Sequence, residues 1–180
     1  IAETVQQKHD AAEAIAQRQL DIHISVDPTQ IGYVISPQQT QGHALKLAKE
    51  IKRLAEESQG IHCLMFDMED ASLNDPTIAL HNTLQDQGLP VALTLQAYMR
   101  RTMEDMEKQV QRGSRVRLVK GAFAAGPKLA FQGTNEIKHN SRQLIELMFS
   151  KTAKSKGFYP IIATHDTNLH DFAILVARKN

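Results

Sequence analysis

Short apolar runs bounded by turn residues recur along the chain at 21–27 (DIHISVD), 61–67 (IHCLMFD), 89–96 (LPVALTLQ), 115–121 (RVRLVKG) and 159–165 (YPIIATH). Their length and flanks predict five β-strands. Between them the apolar spacing changes to three and four, the helical period. Residues 1–19 carry Val5, Ala12, Ile15 and Ala16 on one face, and residues 40–57 carry Ala44, Leu47, Ala48, Ile51, Leu54 and Ala55. Asp75 followed by Pro76 reads as an N-cap and first helical residue. Thr102 with Asp105 reads as a capping box, and Met103, Met106 and Val110 form that helix's stripe. The longest helix is expected at 134–156, and Leu169, Phe172, Ala173 and Val176 mark the last one. Gly60, Gly88, Gly113 and Gly157 each stand between a helix and the next strand, where a left-handed residue ends a helix.

Strand and helix alternating with short links imply a parallel sheet with crossover helices. A doubly wound dinucleotide fold should show G-x-G-x-x-G after the first strand, and no such motif occurs. A barrel instead gathers its chemistry at the C-terminal strand ends. Those ends carry Asp27, Asp67, Gln96, the Arg117–Lys120 segment and His165. Strand parity separates two faces. Ile22, Ile24, Val26, Leu64, Phe66, Val91, Leu93, Leu95, Val116, Leu118 and Ile162 fall on one, expected against helices. His23, Ser25, Asp27, Cys63, Met65, Asp67, Ala92, Thr94, Gln96, Arg117, Val119, Ala163 and His165 fall on the other, expected toward a barrel axis. That smaller, more polar lining leaves room either for a large flat cofactor or for a wet pocket that takes substrate alone.

Composition narrows the classes. A formal net charge of +1 over 180 residues gives no basis for binding nucleic acid. The single cysteine, Cys63, excludes an internal disulfide and fits a buried thiol in a reducing compartment. No apolar run approaches the roughly 18 residues of a membrane span, and no signal peptide is expected ahead of the first helix. The chain begins at Ile1, which suggests a fragment or processed piece. No linker or charge block divides it, so residues 1–180 are expected to form one domain.

The segments MFDMEDA (65–71), LTLQAYMRRT (93–102), VRLVKGAF (116–123) and IATHD (162–166) resemble consecutive strand motifs of the proline dehydrogenases, in that family's order. The resemblance covers about residues 20–177 and is most specific at VRLVKGA. It implies an incomplete (β/α)8 barrel, about five consecutive units (the second to sixth strands) plus an N-terminal helix. It implies FAD as cofactor and L-proline oxidised to pyrroline-5-carboxylate, the first step of proline catabolism. By the same resemblance Asp67 and Arg117 are catalytic, and Asp27 and Asp67 face the substrate. Met68, Gln96, Arg117, Lys120, Gly121, Ala122, Thr134, Thr164 and His165 hold the cofactor. It further implies a quinone acceptor, homo-oligomers, and a cytoplasmic location or one at the inner membrane, mitochondrial in a eukaryote. No metal is expected.

Each residue also has a plainer reading. Asp67 could cap a strand end, Arg117 could pair with Asp67, Gln96 could cap a turn, Lys120 could be a solvated charge, and His165 a structural histidine. Glu69 and Asp70 read as acids leading a helix. Two departures from the family stand out. Asp27 occupies the place where the resemblance expects a substrate-holding lysine, which reverses a charge and leaves an altered-substrate or non-catalytic relative open. The first, seventh and eighth strands and the final arginine-bearing helix are missing, so this piece is expected to be inactive alone, with two raw sheet edges. The rival reading is a metal-dependent barrel lyase or hydrolase built on Asp67, Glu69, Asp70 and His165.

Overall fold

A computed structural model describes residues 1–18, 22–58 and 61–180. The predicted end of the first helix at 19, the predicted start of the first strand at 21, and Gly60 lie outside the described residues. The chain divides into two compact units, Ile1–Leu93 and Thr94–Asn180, with one strand running through the boundary.

The first unit holds α1 (Ala2–Ala16), β1 (Ile22–Val26), α2 (Pro37–Glu57), β2 (Ile61–Phe66), a 3-10 turn (Ala71–Leu73), α3 (Asn74–Asp86) and the start of β3 (Val91–Gln96). β1 pairs parallel with β2, and β2 parallel with β3. Burial alternates along most of β1: Ile24 and Val26 are buried, His23 and Ser25 half-buried; Ile22, expected on the buried face, is instead 38% exposed at the strand's start. α2 is amphipathic and buries Ala44, Leu47, Ala48, Ile51 and Leu54. Each fully buried Leu or Ile there contributes about 1.5–3 kcal/mol. α2 starts earlier than its apolar stripe, because Ser36 accepts a hydrogen bond from Gln39 N and Pro37 fills the first helical position.

The second unit holds the end of β3, α4 (Thr102–Arg112), β4 (Arg115–Val119), α5 (Thr134–Met148), α6 (Lys151–Ser155), β5 (Tyr159–Ile162) and α7 (Thr167–Lys179). β4 pairs parallel with β5. Past the end of β3, Ala97 N donates to Val119 O at 2.7 Å and Tyr98 N to Lys120 O at 2.9 Å. The long loop after β4 is tied down: Arg100 N donates to Leu129 O, Phe131 N to Tyr98 O, and the Arg100 guanidinium stacks 4.5 Å over the Phe131 ring. Gly113 ends α4 in the left-handed region, and a Cβ there would lie 2.2 Å from Lys156 O.

Three predicted details differ. The N-cap expected at Asp75 lies earlier, because Asp70 accepts from Ser72 N and starts the 3-10 turn; Pro76 is then the third residue of α3. The capping box at Thr102 does not form: the Thr102 hydroxyl donates to Gln96 O, and Asp105 pairs with Arg101 at 2.6 Å. The helix expected over 134–156 breaks at Phe149 and Ser150, where Ser150 caps a new helix by accepting from Ala153 N. α2, with 21 residues, is therefore longer than α5.

Candidate active site

In the first unit, Asp27 follows β1 and Asp67 and Met68 follow β2; all three are half-buried. Parallel pairing brings the two strand ends together, with Asp67 N donating to Val26 O at 3.0 Å. Burial pushes the Asp27 carboxyl above its ordinary range, the negative charges of Glu69 and Asp67 push it further, and Lys8 offsets part of this. Lys8 is anchored nearby by donating to Ser25 O at 2.8 Å. Glu69 does not lead a helix as expected. It reaches back across 40 residues and accepts from both the backbone N–H and the hydroxyl of Thr29. Asp70 does serve as a cap. Two of the acids in the metal reading are thus engaged elsewhere, and no cluster of three metal-ligating side chains occurs among the described residues.

In the second unit, Gln96 ends β3 and is buried, while Arg117 lies half-buried on β4 and donates from Nε to Thr94 Oγ1 at 3.1 Å. A cavity of about 480 Å³ lies at the C-terminal ends of β4 and β5 and extends beneath α5 and α7. Lys120, Thr134, Thr164 and His165 all line it, although they come from three separate segments. Much of its lining is apolar, formed in part by Leu118, Ile137, Ile145, Ile162 and Leu169. Asn140, buried on α5, donates to Ala97 O at 2.7 Å and fixes that side of the wall. Gln96, Arg117, Gly121 and Ala122 do not line this cavity.

Gly121 has a reason of its own. Its φ is +110°, and a Cβ would fall 2.1 Å from the Tyr98 ring. Tyr98 is in turn held by its hydroxyl donating to Phe123 O at 2.7 Å and by an edge contact with the Phe123 ring. The glycine therefore makes room for an aromatic ring of the chain itself. Sequence reasoning also missed Lys138 and Asp166, which line the cavity and pair at 2.7 Å. Their pairing depends on the phase of two helices distant in sequence, which no local pattern encodes.

Lys120, the hydroxyls of Thr134 and Thr164 and several aliphatic side chains, gathered in one cavity, suit a ligand with an anionic part and a flat apolar part. On these grounds the residues present fit a dinucleotide-type flavin cofactor.

Parallel strands alternating with helices, and polar residues collected past the strand ends, define an α/β protein of the barrel class. The family model described as proline dehydrogenase matches residues 1–180. "Proline dehydrogenase 1" of Bacillus subtilis subsp. natto is 28% identical over 162 residues, 90% of this chain and 50% of the relative. "Proline dehydrogenase 2" of Bacillus subtilis (strain 168) is 27% identical over 168 residues, 92% of this chain and 51% of the relative. Proline utilization A from Bdellovibrio bacteriovorus, solved after inactivation by N-propargylglycine, superposes with a TM-score of 0.77 at 19% identity, over 99% of this chain and 22% of that one. A variant of the Bradyrhizobium japonicum protein gives 0.79 at 19%, over 97% and 21%. The chain belongs to the proline dehydrogenase family, and its fold is a partial (β/α)8 barrel. It spans about half the length of the curated relatives it matches.

Proposed function

We propose that the protein containing this chain oxidises L-proline to pyrroline-5-carboxylate, with FAD as hydride acceptor, and that the chain supplies the second to sixth strand–helix units of its barrel. The observation that carries this reading, beside family membership, is the cavity on which Lys120, Thr134, Thr164 and His165 converge. When bound, the flavin supplies the two-electron acceptor. The chain's own residues do the rest. Lys120 gives a point charge to a phosphate, and the start of α5 at Thr134 adds the positive end of a helix dipole. The apolar wall keeps water from the rings. Arg117, braced by Thr94, offers a fixed positive charge where negative charge grows during the reaction. Gln96 offers a buried amide that both donates and accepts. Met68, next to Asp67, would meet the cofactor through its backbone, and Gly121 and Ala122, next to Lys120, would follow along the cofactor's chain.

Asp67 and Asp27 present carboxylates to the substrate. Such a pair attracts an amine and repels a carboxylate, so proline's carboxylate is held by residues outside this chain. A membrane quinone as final acceptor and a homo-oligomer belong to the same proposal. No helix among the described residues is long and apolar enough to cross a membrane.

The test is the absorption spectrum of the purified full-length protein before and after anaerobic addition of proline. A flavin spectrum bleached by proline is expected. Arg117→Met should slow the bleaching by about 10²-fold or more, as loss of a charge-stabilising donor does, with flavin content nearly unchanged. Colourless protein that takes up no added FAD refutes the reading, and bound flavin that proline fails to bleach supports an altered substrate.

A further inference from the structure

The seam between α5 and α7 forms one side of the cavity, and two contacts of different kinds close it. Farther along the seam, the exposed Arg142 guanidinium sits 5.3 Å from the centre of the Phe172 ring. One turn earlier on α5, Lys138 Nζ lies 2.7 Å from Asp166 Oδ2, and both residues line the cavity. Asp166 is rigidly placed. Its other carboxylate oxygen caps α7 by accepting from Asn168 N at 3.0 Å, and its backbone N–H donates to Thr164 Oγ1 at 3.1 Å. Lys138 is about half exposed, so the movable partner is the lysine. The ammonium beside it holds the Asp166 carboxyl below its ordinary range, so the pair stays charged at neutral pH. None of the roles proposed above uses either residue.

We propose that the Lys138–Asp166 pair is a latch that joins α5 to α7 at the rim of the cavity and slows escape of the bound cofactor. The proposal rests on the reading that this cavity takes the flavin. A fixed carboxylate on one wall and a swinging ammonium on the other make a gate that opens when the pair parts. The carboxylate also opposes a phosphate leaving past it. A solvent-accessible pair has a limited effect on any rate, so a change of about two- to fivefold is expected.

The experiment uses the full-length protein loaded with FAD, following the rate of flavin release by fluorescence after dilution and the melting temperature of the flavin-free form. Lys138→Met and Asp166→Asn should each speed release by that factor, and raised salt should speed release more in the parent than in the variants, because the contact of Lys120 with the phosphate is screened in all of them. Asn keeps the cap on α7 because its side-chain oxygen still accepts from Asn168 N. The double variant should release no faster than either single one, and Lys138→Arg should behave like the parent. If Lys138 instead held a phosphate directly, Asp166→Asn would free it and slow release, which would overturn the latch. Equal release rates in all variants would remove the latch and leave the cofactor site standing. Full-length protein that takes up no FAD would remove both.

Discussion

Gly121→Ala separates two explanations of one residue. A methyl group at 121 would sit 2.1 Å from Cδ1 and 2.2 Å from Cε1 of Tyr98, so the ring must move. Tyr98 is only 8% exposed, and moving it breaks the hydroxyl bond to Phe123 O and the edge contact with the Phe123 ring. The bond is worth about 1 kcal/mol and the ring contact about 0.5–1.5. Alanine at a φ of +110° adds strain of roughly 1–3 kcal/mol. The expected destabilisation is therefore about 3–5 kcal/mol in the flavin-free protein. Urea unfolding of the full-length apoprotein measures it. In a Tyr98→Ala background the clash is gone and only the backbone strain remains, so the same substitution should then cost about 1–3 kcal/mol. A loss below about 1 kcal/mol in the parent, or one undiminished without Tyr98, would refute the steric account. It would return Gly121 to a role in letting the backbone approach a cofactor.

Two further outcomes follow from the same geometry. Asp27→Asn should raise the melting temperature at pH 7.5. A carboxyl whose folded pKa is raised stabilises only below its unfolded value of 3.8, and that contribution is lost as pH rises through the folded value, so the gain should shrink toward pH 4. Asn140→Leu leaves the Ala97 carbonyl without its buried donor and should destabilise by about 1–3 kcal/mol, read as a lowered melting temperature.

The features legible in the sequence are those set by local spacing. Alternation in β1 and β4 is seen as buried Ile24, Val26, Val116 and Leu118 against half-buried His23, Ser25 and Arg117. Gly88, Gly113 and Gly157 do take positive φ at helix ends. Residues that can bond in more than one direction were misread. Thr102 has the side chain of a cap, but a carbonyl at the end of β3 captures its hydroxyl. Asp75 has the right neighbour for a cap, but Asp70 begins the turn earlier. The helix break at Ser150 was hidden because the apolar stripe continues past it, with Ala153 buried like Met148. In the candidate site, the motifs supplied Lys120, Thr164 and His165 and the wider resemblance Thr134, while Lys138 enters only through the packing of α5 on α7.

The clasp between Glu69 and Thr29 ties a mechanical event to a chemical one. Glu69 fastens the loop after β1, and its charge is also the strongest electrostatic influence raising the proton affinity of Asp27. Beside burial, which raises it most, it is the Glu69 charge that holds the Asp27 carboxyl up, so moving Glu69 away from Asp27 makes Asp27 a stronger acid. By the reciprocity of linked equilibria, ionising Asp27 loosens the clasp. Proton occupancy at the end of one strand and the fastening of the loop that follows it are coupled, each biasing the other.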